Sequence, residues 1–464
     1  VLYNPEAVFY TMPLALIAVA AGLDRERYEV VVIDGRLEEN AEQRVVDACE
    51  GAVCLGVTAL TGGPLWDALK ISRAVKRAHP EVPVVWGGWH PSLFPTDTLQ
   101  EWSVDVTVQA QGEKSFPDLV EALATGRPLS EIHGIAYRDQ GMPRQTQPRH
   151  MADMNTLPMH RYELLDVERY YQLKGQRQMD YISSTGCFFR CAFCADPFVF
   201  RRSWTGLDPE RVGAEVDLLW QRYPFDELAF QDETFFTKRK RVVQIAEAFL
   251  QHGRGFDWTA TMRADQGMRL GDNAFKLCVD SGMRRVLIGV ESGSQEMMDW
   301  MQKDIKVEQV IHCAEQCVRY GIGAIFPFIV GFPNETPESV KASMDMAKQL
   351  RAMSPDFETP VFFFKPYPGS KITADAVAAG YTLPTTVEGW AGFDFVGSSG
   401  PWVDSETEQL VKRYGFYGRL GYSRRGRRMR PLAALARWRV RNNAYRFPVE
   451  QLVAERLFKR PTLS

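Results

Sequence analysis

Three cysteines, Cys187, Cys191 and Cys194, fall in the segment STGCFFRCAFCADP (184–197). The segment follows a strand-like stretch, so the three thiols share one loop. Cysteine thiolates hold iron–sulfur clusters, and a 4Fe–4S cluster ordinarily takes four of them. Three leave one iron with an open position for a substrate or cofactor. A structural zinc ion would need four protein ligands, and no further Cys or His lies at suitable short spacing. The remaining cysteines read differently. Cys49, Cys54 and Cys278 sit in apolar stretches as small hydrophobes. Cys313 and Cys317 are four apart in a helical pattern and read as structural.

A loop of this kind must be carried by rigid elements. Residues 1–140 alternate short apolar runs (1–4, 28–34, 52–57, 82–88, 104–109) with amphipathic stretches near 13–23, 41–50, 64–78 and 115–124. This alternation predicts a doubly wound parallel sheet, with ligands beyond the carboxyl ends of the strands. The fingerprint G-x-G-x-x-G is absent, which disfavours a dinucleotide. Residues 141–178 are polar and poorly periodic and read as a linker. Alternation resumes over 179–370, with strands expected near 179–185, 227–232, 257–263, 285–290, 324–330 and 358–364. Helices are expected near 208–222, 238–251, 271–281, 307–320 and 337–351. Six strand–helix units suggest a partial barrel, whose chemistry belongs on the loops after its strands. Residues 371–464 read as mainly helical. The fold class is therefore α/β: a Rossmann-like parallel sheet, a partial (β/α)6 barrel and a helical C-terminal region.

The bulk properties fit a globular protein. The chain has 464 residues and a formal net charge of -3, so no global attraction to nucleic acid is expected. No apolar run has the roughly 18–20 residues that span a bilayer. No signal peptide is evident, and the loop thiols suit a reducing cytoplasm. The basic stretch 419–443 reads as a solvated helix packed on the barrel. Contact with an anionic substrate or peripheral attachment to a membrane surface are the alternatives.

The cysteine loop resembles the signature of the radical S-adenosylmethionine superfamily, C-x-x-x-C-x-Φ-C, with Phe193 as the aromatic Φ. Further segments resemble the same family in order. ELAFQDETFF (227–236) supplies Gln231, Asp232 and Glu233, which the resemblance places near the methionine ammonium. WTATMRADQ (258–266) places Arg263 toward the methionine carboxylate. VLIGVESGS (286–294) brings Glu291 and Ser292 toward the ribose. IVGFPNET (329–336) resembles the turn near the adenine, with Asn334 where the family has Gly. The resemblance implies a 4Fe–4S cluster whose open iron chelates S-adenosylmethionine. One electron, from a donor such as flavodoxin or ferredoxin, then gives a 5′-deoxyadenosyl radical.

Residues 1–140 resemble the cobalamin-binding domain that precedes the barrel in many such enzymes. The matching segments hold Pro13; Thr58, Leu60, Thr61 and Gly62; Gly87, Gly88 and His90; and Gly112 with Glu113. Trp89 stands where the family has Pro, and Gln111 where it has Glu. No histidine fits D-x-H-x-x-G, so the resemblance implies a lower cobalamin face without a histidine ligand from that motif. The loop 59–63, with its Gly pair, is a candidate to lie against the ring. His90 reads first as a helix-start or turn residue and second as a ligand.

The resemblance implies a cobalamin-dependent radical enzyme. Its leading activity is methylation of an unactivated carbon or a phosphinate phosphorus in a small-molecule substrate. Anaerobic cyclisation of a magnesium-porphyrin ester and ring contraction are other outcomes in this branch, and the aromatic run VFFFKPYPG (361–369) would suit a large or hydrophobic substrate. A non-catalytic cobalamin-binding protein is the contrasting class; the intact cysteines, Arg263 and Glu291 argue against it. Methylthiolation of RNA or protein would need a second cluster, which Cys49 and Cys54 cannot ligate.

Overall fold

The computed structural model describes residues 1–251, 253, 255–393, 400–422 and 430–452. The chain forms two compact units. The first comprises Val1–Thr261, Asn273–Met283 and a segment beginning at Pro366. The second comprises Met262–Asp272, Arg284–Lys365 and the described residues from Gly400 onward.

In the first unit, β1 (Leu2–Asn4), β2 (Val32–Asp34), β3 (Leu55–Thr58), β4 (Val84–Gly87) and β5 (Val106–Val108) are parallel, in the order β2-β1-β3-β4-β5. Helices Leu14–Ala21, Ala41–Ala48, Pro64–Ala78 and Gly112–Thr125 make the crossovers. Strand order reverses at β1 and β3, the position where open α/β sheets bind ligands. Both faces are buried, which explains the unbroken apolar strands. Tyr3, Val57 and Trp86 belong to one core, and Leu2, Val85 and Val106 to another. Helix Pro64–Ala78 buries Leu65, Ala68, Leu69, Ser72 and Val75, a stripe of helical period. Ser72 accepts the Trp86 indole N–H at 2.9 Å, so the largest ring in that core keeps its hydrogen bond.

The sheet gains an unexpected hairpin at the end of residues 1–140, and the stretch 141–178, read as a linker, holds its second strand and a helix. β6 (Ile135–Asp139) pairs antiparallel with β5 and with β7 (Met142–Gln145). Gln140 and Gly141 both have positive φ, 52° and 83°, and close a two-residue hairpin. Helix Val167–Lys174 is capped by the Asp166 carboxylate and ended by Gly175 at φ 67°. The short alternation of β6 and β7 carries too little apolar periodicity to stand out in the sequence.

The barrel strands begin with β8 (Gln178–Tyr181) and β9 (Ser184–Gly186). They continue with β10 (Trp204–Gly206), β11 (Glu227–Phe230) and β12 (Asp257–Arg263). β11 pairs in parallel with β8 and β12, while β9 pairs antiparallel with β10. In the second unit, β13 (Met283–Gly289) and β14 (Gly323–Ile325) pair in parallel, followed by β15 (Phe328–Val330), β16 (Phe357–Glu358) and β17 (Val361–Phe363). β14 also pairs with β16, and β15 with β17.

Three expected strands thus break in two, each for a local reason. Pro327 and Pro360 interrupt the second and third, because proline has no N–H for the ladder. In the first, the Ser183 N–H goes to the Asp232 carboxylate at 2.8 Å. Helices Pro209–Arg222, Arg239–Gln251, Asp272–Asp280, Val307–Tyr320 and Pro337–Met353 lie where the periodicity puts them. The aromatic run after Pro360 is largely core: Phe363 and Phe364 are buried and only Phe362 is exposed.

The C-terminal region is helical, but its parts go to different units. Helices Lys371–Ala378 and Val387–Ala391 belong to the first unit. Helices Ser405–Tyr422 and Arg430–Asn442 pack together in the second. Arg430–Asn442 buries Ala433, Ala436 and Val440 and exposes Leu435 and Trp438. Residues 423–429 of the basic stretch lie outside the described residues. Among the described residues, no helix is long and apolar enough to cross a membrane.

Candidate functional site

The cysteine loop starts where β9 ends. Gly186 has φ 84°, and a Cβ there would stand 2.4 Å from the Ser203 carbonyl oxygen, so only glycine fits. Its N–H donates to Glu233 Oε2 at 3.1 Å. Cys187, Cys191 and Cys194 are all half-buried, as is Phe193 between the last two. The Cys194 N–H donates to the Cys191 carbonyl at 3.2 Å, and helix Asp196–Val199 follows at once. From the segment beginning at Pro366, the Ile372 N–H donates to the Ala192 carbonyl at 3.0 Å. Gly369, at φ 81°, leaves room for the Phe198 ring: a Cβ would stand 2.7 Å from it.

Burial pushes the Cys194 thiol well above its usual range and raises the Asp196 carboxyl to about 6. A buried thiolate here therefore calls for a positive partner, which iron supplies. Among the described residues, no three Cys, His, Asp or Glu side chains converge as ligands of a single metal ion. A cubane does not ask for such convergence, because each thiolate takes a different iron. The donor set fits an iron–sulfur cluster better than zinc.

The acidic segment after β11 divides its labour. Asp232 is buried and accepts from the Ser183 N–H, the Ser183 hydroxyl and the Ser184 hydroxyl, so its oxygens secure the start of β9. Gln231 Nε2 donates to Asp180 Oδ1 at 2.9 Å. Asp180 also accepts from Lys174 and from the Met12 N–H, next to Pro13. Glu233 lies beside Gly186, and burial, with Asp196 nearby, raises its carboxyl to about 8.

At the sheet's carboxyl ends, the expected cofactor residues divide into cradle and support. Thr58 donates its hydroxyl to Asn4 Oδ1 at 2.9 Å. Leu60 is exposed, while Thr61 is buried with its Oγ1 3.1 Å from His90 Nδ1. The His90 N–H donates to the Ala59 carbonyl at 3.0 Å, and its ring packs against Phe94 and Trp390. Burial pushes this imidazole down to about 3, so it stays neutral. His90 thus supports the 59–63 loop from inside the core. Gly62 and Gly88 have φ of 104° and 98°, and a Cβ at Gly88 would lie 3.2 Å from the Ala59 carbonyl. Leu60, Gly63 and Gly88 are exposed at this turn, while Gly62 is buried with Thr61; glycine leaves the backbone free of side chain, which suits the close approach of a bulky flat ring. Gly87 borders the same turn. Gly112 starts the helix after β5, where its backbone N–H and that of Glu113 face the Glu113 carboxyl, which burial raises. Pro13 is buried and begins helix Leu14–Ala21.

In the second unit, Arg263, Glu291 and Ser292 come with a partner that the sequence reading missed. Lys303 Nζ pairs with Glu291 Oε1 at 2.6 Å, and the Lys303 carbonyl accepts from Arg263 at 2.6 Å. Arg263 also pairs with Asp265 at 2.9 Å. Glu291 has φ 67°, and its backbone bridges the broken strand through Pro327 and Ile329. Ser292 is buried, with Oγ 3.1 Å from Ser343 Oγ. The charges needed to meet a zwitterionic amino acid are present, already desolvated and paired. Lys303 has no motif around it; only its place after a buried Met-rich turn could have suggested it. Asn334 has φ 65°, a conformation asparagine tolerates better than most residues, so it can stand for glycine.

Comparison with known proteins gives two family matches: the radical SAM superfamily over residues 181–347 and a B12 binding domain over residues 3–120. An uncharacterized methyltransferase of Pyrococcus horikoshii is 30% identical over 406 residues, 86% of each chain. The cytidylyl-2-hydroxyethylphosphonate methyltransferase of Streptomyces wedmorensis is 23% identical over 82% of each. A solved radical S-adenosylmethionine methyltransferase from Kitasatospora setae shares the fold at TM-score 0.69 and 19% identity. The match covers 82% of this chain and 77% of that one.

Proposed function

This chain belongs to the radical S-adenosylmethionine superfamily, in the branch that carries a cobalamin-binding domain, and we propose that it methylates an unactivated carbon of a small-molecule substrate. Its cofactors are a 4Fe–4S cluster, S-adenosylmethionine and cobalamin. Once bound, the cluster with S-adenosylmethionine supplies hydrogen abstraction, and the cobalamin supplies the methyl group.

The observation that carries the reading is the three-cysteine loop in the same compact unit as the cobalamin-type sheet. Residues 1–140 form the cobalamin domain, 141–178 the connection, 179–370 the barrel and 371–464 the helical region. Cys187, Cys191 and Cys194 hold the cluster. Glu233 and Gln231 border the amino-acid end of S-adenosylmethionine, and Asp232 positions the loop through Ser183 and Ser184. Arg263, Glu291 and Ser292, with Lys303 as their anchor, serve the carboxylate and ribose. Leu60, Gly87 and Gly88 face the ring, and Gly62, Thr61 and His90 support the turn from within. Thr58, Pro13, Gly112 and Glu113 complete the rim. A low-potential protein such as flavodoxin or ferredoxin would supply electrons in the cytoplasm.

The test is anaerobic reconstitution. Wild-type protein should take up about four irons per chain, bind a corrinoid visible by its spectrum, and release 5′-deoxyadenosine from S-adenosylmethionine. The Cys191→Ala variant should lose both iron and 5′-deoxyadenosine. Retention of both by that variant would overturn the assignment of the loop.

A further inference from the structure

A cavity of about 560 Å³ lies within the first unit. Its wall joins stretches far apart in sequence: Ser92 and residues 109–111 beyond the sheet, residues 145–151 after β7, and residues 197–203, which follow Cys194 directly. This volume suits a small organic molecule. Among the described residues, no Asp or Glu lines it, whereas Arg149, His150, Arg201 and Arg202 do.

These cations are not equivalent. Arg149 pairs at 2.7 Å with Asp118, a carboxylate it shares with Arg127, and bonds Ser115. Arg202 donates to the Phe188 carbonyl, which carries no formal charge. Arg201 makes no ion pair among the described residues. The wall therefore holds positive charge that no carboxylate among the described residues offsets. Its backbone is also unusual: Arg201 and Arg202 have φ of 51° and 55°, two consecutive left-handed residues, neither of them glycine. Such conformations are costly for residues with a Cβ, and they concentrate at ligand sites. Beside them, Phe198, Phe200 and Met151 supply apolar wall.

We propose that this cavity receives the substrate, as a molecule with an apolar body and a phosphate or carboxylate end, and that Arg201 and Arg202 pair with that anionic end. Arginine suits this role because its planar fork matches both oxyanions. The inference rests on the methyl-transfer reading, because it assigns the cavity to that reaction. The nucleotide phosphate of cobalamin itself is the other source of the same chemistry.

The test uses cluster- and cobalamin-loaded protein, with phenyl phosphate as the probe in isothermal titration. The Arg201→Asn/Arg202→Asn variant keeps a residue that tolerates the left-handed backbone. It should bind phenyl phosphate at least tenfold more weakly than wild type and take up the corrinoid as wild type does. The Arg201→Lys/Arg202→Lys variant should recover most of the affinity. Raising salt from about 0.05 to about 0.5 M should weaken phenyl phosphate binding to wild type, since charge pairing at an open wall is screened. No binding to wild type, or equal binding by the Asn variant, would overturn the proposal. Loss of corrinoid uptake in the Asn variant would also overturn it, by giving the arginines to the cofactor's phosphate. A wild-type protein that binds phenyl phosphate but forms no 5′-deoxyadenosine would instead refute the enzymatic reading.

Discussion

Acidification should destabilise the first unit through His90. In the folded protein its imidazole is pushed from 6.5 down to about 3, with burial as the cause. Its Nδ1 meets the Thr61 hydroxyl, and Phe94 and Trp390 pack against the ring. The unfolded chain takes up the proton near the ordinary histidine value, and the folded one resists it. Stability from this residue is therefore complete above about pH 6.5 and falls as pH drops toward 3. Each pH unit in that window costs about 1.4 kcal/mol. Between pH 7.5 and 5 the loss is about 2 kcal/mol. The assay is denaturant unfolding at both pH values, followed by tryptophan fluorescence, for wild type and His90→Asn. Other titrating groups cancel in the comparison, so the variant's pH dependence should be smaller by that amount. Equal dependence in the two proteins would refute the reasoning. So would a cobalt–imidazole signature in the loaded wild type that the variant lacks, because a ligating His90 would have to leave the core.

Other expectations are as direct. Lys303→Met leaves the Glu291 carboxylate buried without its partner and should cost about 3–5 kcal/mol, read as a fall in Tm. A double change with Glu291→Gln should recover part of it. Asp232→Ala removes the acceptor shared by the Ser183 N–H and the hydroxyls of Ser183 and Ser184. It should cost at least about 1–3 kcal/mol and speed proteolysis within 184–197. Gly88→Ala forces a Cβ onto a backbone at φ 98° against Ala59; it should cost about 1–3 kcal/mol and weaken corrinoid uptake.

Much of the architecture was legible because the first parallel sheet buries continuous apolar strands, the later strands β12 and β13 largely alternate buried and half-buried residues, and helices of clear 3.6 period lie between them. The cysteine loop was legible from local spacing, and the acidic and glycine-bearing strand ends from their resemblance to the family's segments. Other features depend on contacts distant in sequence, which periodicity does not carry. The strands of the β6–β7 hairpin are too short to show a pattern, and β7 is largely exposed. The strand breaks at Pro327 and Pro360 had a local signal that a long apolar run overrode. The pairing of Lys303 with Glu291, and the closure of Trp390 over His90, join residues that no short motif connects. Asp232 looked like a binding carboxylate by position, but the Ser183–Ser184 pair engages it.

The return of residues 387–393 to the first unit has a consequence for biosynthesis. Val387, Trp390, Ala391 and Phe393 complete the core that contains Trp86 and Leu65. During translation that core waits for some 300 further residues after β4 emerges, about 15–60 seconds at usual elongation rates. For that interval, apolar surface destined for Trp390 faces solvent or a chaperone. The nascent sheet is thus a provisional structure until residues 387–393 have been made and have returned to it.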